Sequence, residues 1–337
     1  MSTRYAAAHA QPTGAGDARP TALQIIHDEN LVNALADKVV LITGVSGGIG
    51  IETMRALHAT GAHVFGTVRD LSKGQKVVSD ILASNPNGGK IDLIEMDLGS
   101  LDSVRRGAQD FLDKSGGKLN LLILNAGIMA VPEGRTKDGF ELQWGTNYVA
   151  HFLLFQLVKG ALLESASPAF PSRVVSVSSL GHRYSSIRFH DYNFEREPYD
   201  KWLAYGQSKT GNIWLANAIN RKYAGRNLYA VGLHPGVIMT GLAWALDEKE
   251  VAQIITPEAT RMLKSPEQGA ATSVLAAVGK EWRTVGGVWA SDCAVQGRMQ
   301  ENVSFLEDQG YADWAFDPEG EERLWKESFA MVGLKEE

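Results

Sequence analysis

From Lys38 onward the chain alternates short apolar runs with longer segments whose apolar residues recur at helical spacing. "KVVLIT" (38–43) leads into a glycine-rich turn and a helix of about 51–60, which Gly61 can end with a left-handed cap. "AHVFGTV" (62–68), a helix near 71–84, "KIDLIEM" (90–96), a helix near 101–114 and "KLNLLILN" (118–125) follow. Then come a long helix (about 139–164), "RVVSVS" (173–178), a helix (about 202–224), "LYAVGLH" (228–234), a helix (about 267–279) and "GGVWAS" (286–291). The strands are continuous apolar runs more than alternating ones, the pattern of a sheet covered on both faces. Alternation of strand and helix implies right-handed crossovers and parallel pairing. The expectation is an α/β chain: one doubly wound domain with a seven-stranded parallel sheet and helices on both faces.

The flanks are less regular. Residues 1–20 are rich in Ala, Gly and Pro and read as a mobile tail, with 21–337 forming the single domain. "TALQIIHDENLVNAL" carries Leu23, Ile26, Leu31 and Leu35 near helical spacing and predicts one or two short helices. The most apolar window, "YVAHFLLFQLVKGALL", is broken by His151, Gln156 and Lys159, so it reads as a core helix and not an integral membrane segment. Near the C-terminus, Trp314, Phe316, Leu324, Trp325 and Phe329 are available to pack.

"TGVSGGIG" (43–50) sits where the first strand turns into the first helix. Gly44, Gly48 and Gly50 would let the backbone approach a pyrophosphate, whose charge a helix N-terminus stabilises; taken alone, they make a tight turn. An acidic residue after the second strand would bind the ribose hydroxyls of NAD. Here Val68 and Arg69 occupy that place, and a guanidinium favours the 2′-phosphate of NADP over NAD unless it pairs with Asp70.

Tyr205 and Lys209 stand four apart in "LAYGQSKTGN", so on a helix they share one face. A phenol must give up about 4 kcal/mol to ionise near pH 7, and a neighbouring ammonium pushes in that direction. Ser178 and Ser179 end the fifth strand, at the edge where open α/β sheets bind ligands. Asn147 lies in the helix before it.

These motifs, T-G-x-x-x-G-I-G, "NAG", the paired serines and Y-x-x-x-K, resemble the short-chain dehydrogenase/reductase family from about Lys38 to Ala290. The resemblance implies a Rossmann fold in which Asn147, Ser179, Tyr205 and Lys209 are catalytic. It implies cofactor contacts from Thr43, Gly44, Ser46, Gly47, Gly48, Ile49 and Gly50, from Asp97 and Leu98, and from Asn125, Ala126 and Gly127. Tyr205 and Lys209, and the turn bearing Pro235, Gly236, Ile238 and Thr240, complete that set, with Arg69 for the phosphate. Ser179 stands 26 positions before Tyr205, about twice the family's usual spacing. The extra segment and "NAGIMAVP" resemble the retinol dehydrogenase and WW-domain-oxidoreductase-like branch. Its aromatic residues Tyr184, Phe189, Tyr192, Phe194, Tyr199 and Trp202 would either line a substrate pocket or anchor a long loop.

The implied activity is an NADP(H)-dependent ketoreductase or dehydrogenase moving hydride between nicotinamide and a hydrophobic ketone, aldehyde or alcohol, with a place in secondary metabolism. The expected substrate walls are Met129, Leu180, Trp202, Met239 and Trp244, with substrate loops at about 180–204 and 237–265. The other reading is a catalytically idle NADP-binding regulator; a methyltransferase would have no need of the Tyr–Lys pair. Family members often pair through the two long helices, so a homodimer is one expectation.

Bulk composition narrows this little further. With 337 residues and 44% hydrophobic content the chain can bury a large core without disulfides or metals, and no metal is expected. The single Cys293 excludes an internal disulfide and fits a reducing, cytoplasmic compartment, as does the lack of a signal-like apolar run near Met1. A net charge of −6 argues against a nucleic-acid partner.

Overall fold

The apolar runs form strands in the computed structural model, which describes residues 4–336. The strands are β1 (Val39–Thr43), β2 (His63–Val68), β3 (Ile91–Glu95), β4 (Leu121–Leu124), β5 (Ser172–Val177), β6 (Leu228–Leu233), β7 (Val237–Ile238), β8 (Leu263–Lys264), β9 (Trp289–Ser291) and β10 (Ala294–Val295). One sheet runs β10-β9-β6-β5-β4-β1-β2-β3, and β7 pairs with β8 apart from it. Seven strands, β9 to β3, are parallel as expected. The eighth is a correction to the seven-stranded sheet: β10 folds back antiparallel on β9 through Asp292 and Cys293, both at positive φ, as a tight hairpin requires. A two-residue strand has no apolar run to announce it.

Side-chain alternation divides the core into two layers. On β1, Val39 and Leu41 join one apolar cluster, while Val40 and Ile42 join the other; on β4, Leu122 and Leu124 oppose Leu121 and Ile123 in the same way. The first layer lies under helices Leu101–Ser115, Ala150–Ser165 and Lys201–Tyr223, and the second under Ala22–Asp28, Ile49–His58 and Ala271–Val278. Both faces of the sheet are therefore dry, which is why its strands read as unbroken apolar runs. No helix among the described residues is long and apolar enough to cross a membrane.

Three segments depart from the pattern. The long helix expected over 139–164 begins at Leu142 and passes through a π turn, Gly145–Val149, before continuing as Ala150–Ser165. The segment before β1 yields one helix, Ala22–Asp28, capped by Thr21. From Arg4 to Pro20 the chain is packed, where the sequence suggested a mobile tail: the Tyr5 hydroxyl donates to Asp28, and buried Arg19 donates to the carbonyls of Gly14, Met262 and Leu263. A guanidinium satisfied by backbone so distant in sequence leaves no local pattern to read.

The helix Pro318–Met331 closes the fold across the two long helices beside the site. Trp325 meets Phe152, Phe155 and Tyr223 at ring separations of 5.2, 6.2 and 6.5 Å. Tyr148 and Ser328 share a buried hydrogen bond of 2.7 Å, and Glu321 accepts from Asn217 and Arg221. Replacing Trp325 by Ala removes this aromatic anchor and is expected to cost about 3–5 kcal/mol, read as a lower midpoint in chemical denaturation at unchanged far-UV circular dichroism.

Candidate active site

Strand order reverses between β1 and β4, and the crevice beyond their C-terminal ends opens into a cavity of about 990 Å³. Its first half is built on the glycine turn. Gly50 packs against the turn so closely that a Cβ there would lie 2.1 Å from the Gly44 oxygen, so a side chain is excluded. Ser46, Gly47, Gly48 and Ile49 line the cavity beside Gly44 and Gly50, at the N-terminus of the Ile49–His58 helix. Among the sequence-predicted cofactor residues, Arg69, Asp97, Leu98, Asn125, Ala126, Gly127, Pro235, Gly236, Ile238 and Thr240 also line it.

Thr43 is the exception. It is fully buried and off the cavity wall; its hydroxyl oxygen accepts from the main-chain N–H of Asn125 and Ala126 at 2.9 and 3.0 Å. Thr43 thus joins β1 to the turn after β4 instead of touching a ligand, a role that shows only when the two strands are side by side. Asn125 bonds back through Nδ2 to the carbonyls of Thr43 and Gly44, while its buried Oδ1 has no protein partner. A close-approach glycine turn, a helix N-terminus and an orphaned acceptor fit a dinucleotide. Asp70 does not pair with Arg69: its carboxylate caps the next helix by accepting from the N–H of Ser72 and Lys73. Arg69 lines the cavity and makes no ion pair among the described residues. Asp97 likewise is not the cap of the following helix, which is Ser100.

The second half gathers the residues from β5 and the Lys201–Tyr223 helix. Ser179 follows β5 and lines the cavity with Tyr205, its hydroxyl oxygen accepting from the Gly181 N–H at 3.0 Å. The Tyr205 ring lies over Gly181, where a Cβ would come within 2.6 Å of it. Ser178 turns the other way and donates to the Lys209 carbonyl at 2.7 Å. The Lys209 ammonium donates to the Val177 carbonyl at 3.1 Å and stands 5.6 Å from the Tyr205 ring centre. Burial pushes the Tyr205 phenol up to about 12, and the neighbouring Ser179 hydroxyl pulls the other way. Desolvation thus acts on the phenol in the direction opposite to the one the sequence argument expects from Lys209. Burial also draws Lys209 down to about 8.

Asn147 sits in the π turn, fully buried and off the cavity wall. Its side chain accepts from the N–H of Ile128, and donates to the Ile128 carbonyl and the Ser208 hydroxyl, all at 2.9 Å. His151, which sequence reasoning passed over as an interruption of an apolar helix, lies one turn further on and is fully buried.

Much of the remaining wall is apolar. Met129, Leu180, Trp202, Met239 and Trp244 all line the cavity, joined by Tyr184 and by Phe305 from the segment before the last helix. Trp244 is 69% exposed, so it marks the rim and not the interior. The aromatic residues of the long insertion divide: Tyr184 and Trp202 line the cavity, whereas Tyr192 stacks on Trp144 at 5.3 Å and Phe189 packs on Trp214 at 6.1 Å. The Tyr199 hydroxyl donates to the Val131 carbonyl, and Phe194 packs on its ring. Phe305, stacked on Tyr184 at 5.3 Å, had no sequence signal, since it reaches the site only through tertiary folding.

A family model described as short chain dehydrogenase matches residues 38–251. The chain is 47% identical over 334 residues to Short-chain dehydrogenase/reductase prx1 of Penicillium rubens, covering 99% of this chain and 96% of the relative. It is 34% identical over 298 residues to mouse retinol dehydrogenase 12, covering 88% and 87% of the two chains. The crystal structure of an uncharacterised protein from Mycobacterium paratuberculosis is similar with a TM-score of 0.66 at 31% identity, over 88% of this chain and 94% of that one.

Burial of the Lys209 ammonium predicts a pH signature. An unfolded lysine stays protonated up to its ordinary range, whereas the folded one gives up its proton from about pH 8. Between these limits the unfolded chain binds more protons, so stability rises with pH there and the penalty is complete below the lower limit. Compared with Lys209→Met, the parent should gain stability above about pH 8, by on the order of 3 kcal/mol at most, in denaturation curves collected as a pH series.

Proposed function

Because the chain belongs to the short-chain dehydrogenase/reductase family of oxidoreductases, in its retinol dehydrogenase-like branch, we propose that it reduces a bulky hydrophobic ketone or aldehyde with NADPH, or oxidises the matching alcohol. One observation carries this reading: Tyr205 and Ser179 line the same cavity as the glycine turn. A proton donor and a dinucleotide cradle sharing one space suit reduction of a carbonyl, and a regulator without chemistry has no use for the arrangement.

The cofactor, when bound, supplies or receives the hydride. Gly44, Gly48 and Gly50 would hold its pyrophosphate, Arg69 its 2′-phosphate, Asp97 and Leu98 its adenine, and Asn125 to Gly127 the adjoining ribose. Ile238 would meet the nicotinamide end, Thr240 the phosphates beside Gly48, and Lys209 the ribose hydroxyls. In reduction the Tyr205 hydroxyl releases its proton to the substrate oxygen, and Ser179 donates a hydrogen bond to the same oxygen. Lys209, a short distance below the ring, stabilises the phenolate left behind.

The apolar walls supplied by Met129, Leu180, Trp202 and Met239 favour a bulky, weakly polar substrate, in keeping with relatives named for retinol. Such a substrate fits a role in secondary metabolism. A homodimer through the two long helices is disfavoured, because the Pro318–Met331 helix already covers them with Trp325 and Phe329.

Tyr205→Phe should abolish turnover of a panel of hydrophobic ketones while NADPH binding, followed by its fluorescence, stays near the parent's; substantial residual turnover would contradict the proton assignment. Arg69→Ala should weaken NADPH binding by about tenfold or more and leave NADH binding unaltered, the loss expected for one charged hydrogen-bond donor at a phosphate. Equal losses for both cofactors would point to a general charge effect.

A further inference from the structure

The hydrogen bonds behind the site can be assigned in one direction only. The Asn147 main-chain oxygen accepts and cannot donate, so His151 Nδ1, 2.9 Å away, must carry a proton. In a neutral imidazole Nε2 is then an acceptor, and the Thr43 hydroxyl donates to it across 3.0 Å in preference to the Ile123 carbonyl at 3.5 Å. That same hydroxyl oxygen takes the N–H groups of Asn125 and Ala126. The imidazole is neutral because burial, with the Lys209 ammonium second, draws it down to about 3. An unbroken chain of bonds thus runs from the turn after β4, through the end of β1, to the π turn.

Both ends of this chain bear on the reacting groups. Asn147 grips Ile128 through its side chain, while His151 holds its main chain. Between these grips lies Gly127, where an added Cβ would stand 3.2 Å from both Asn147 Oδ1 and Lys209 Nζ. A buried histidine that only filled space would be replaceable by Leu. This one bridges the two segments that set how far the 125–128 wall stands from Lys209.

We propose that His151 is a positioning residue for the reaction: as the Nδ1–H tautomer it ties the Asn147 carbonyl to the Thr43 hydroxyl and so sets the spacing between the cofactor wall at 125–128 and the Tyr205–Lys209 pair. The inference rests on the hydride-transfer reading above.

The test compares the parent with His151→Leu, which removes both bonds, and His151→Asn, whose amide N–H can still reach the Asn147 carbonyl. The Leu variant should lose about 10²-fold in kcat, as expected for a misplacement of about 1 Å, with the ketone KM unchanged, and the Asn variant should recover most of that loss. Independently of activity, ligand-free protein labelled with 15N-histidine should show one imidazole, missing from the Asn variant, as an Nδ1–H tautomer that does not titrate from about pH 5 to about pH 8. A Leu variant that turns over like the parent, an Asn variant no better than Leu, or an Nε2–H or titrating signal overturns the proposal. Should the Leu variant fail to fold, the Asn variant and the tautomer decide. A parent silent on every ketone sinks the hydride-transfer reading and this inference with it, whereas an active parent matched by the Leu variant sinks the inference alone.

Discussion

The site depends on a double bond of attachment between β5 and the Lys201–Tyr223 helix: Ser178 donates to the Lys209 carbonyl, and the Lys209 ammonium donates to the Val177 carbonyl. Asn212 adds a further bond to the same Val177 oxygen. These bonds bring one helical turn against the end of one strand, and every other distance in the reacting half follows from them. Tyr205, one turn earlier, is thereby carried to Ser179, and Gly181 leaves just the room its ring needs. Because the contacts join backbone to side chain, they constrain orientation as well as proximity, which apolar packing alone would not.

That attachment is bought with burial, and burial has its own electrostatic consequences. Desolvation disfavours the charged forms of both partners, raising the phenol and lowering the ammonium. Both shifts favour the neutral forms. His151, His182 and His234 are buried with their pKa values drawn down, so these three rings add no competing positive charge. Stability is given up locally for reactivity, and the dry two-layer core on either side of the sheet offsets the cost.

Away from the chemistry, aromatic residues divide between anchoring and shaping. Within the long insertion, Tyr192 and Phe189 fasten the loop to Trp144 and Trp214, and this leaves Tyr184 and Trp202 free to form cavity wall. The closing helix does the same for the far side of the fold, where Trp325 and Phe329 cover Phe152. A loop of this length over a sheet edge would otherwise carry too few apolar contacts to hold a binding surface in place.

The order of strands and helices, the glycine turn, the Tyr205–Lys209 face and the serines after β5 were legible in the sequence, because each rests on a local pattern: an unbroken apolar run, a period of nearly four, or a turn of fixed length. Arg69 was legible as a cation at a strand end, though only the capping role of Asp70 left it without its neighbour's carboxylate. What tertiary structure alone decided is whatever depends on two segments meeting. Thr43 left the ligand wall for a bond between β1 and the turn after β4, Phe305 joined the cavity from over a hundred residues beyond Tyr184, and Arg19 drew the N-terminal segment onto the fold. The direction of the Tyr205 shift belongs to the same group, since the degree of burial is a property of the assembled surroundings and no spacing along the chain encodes it.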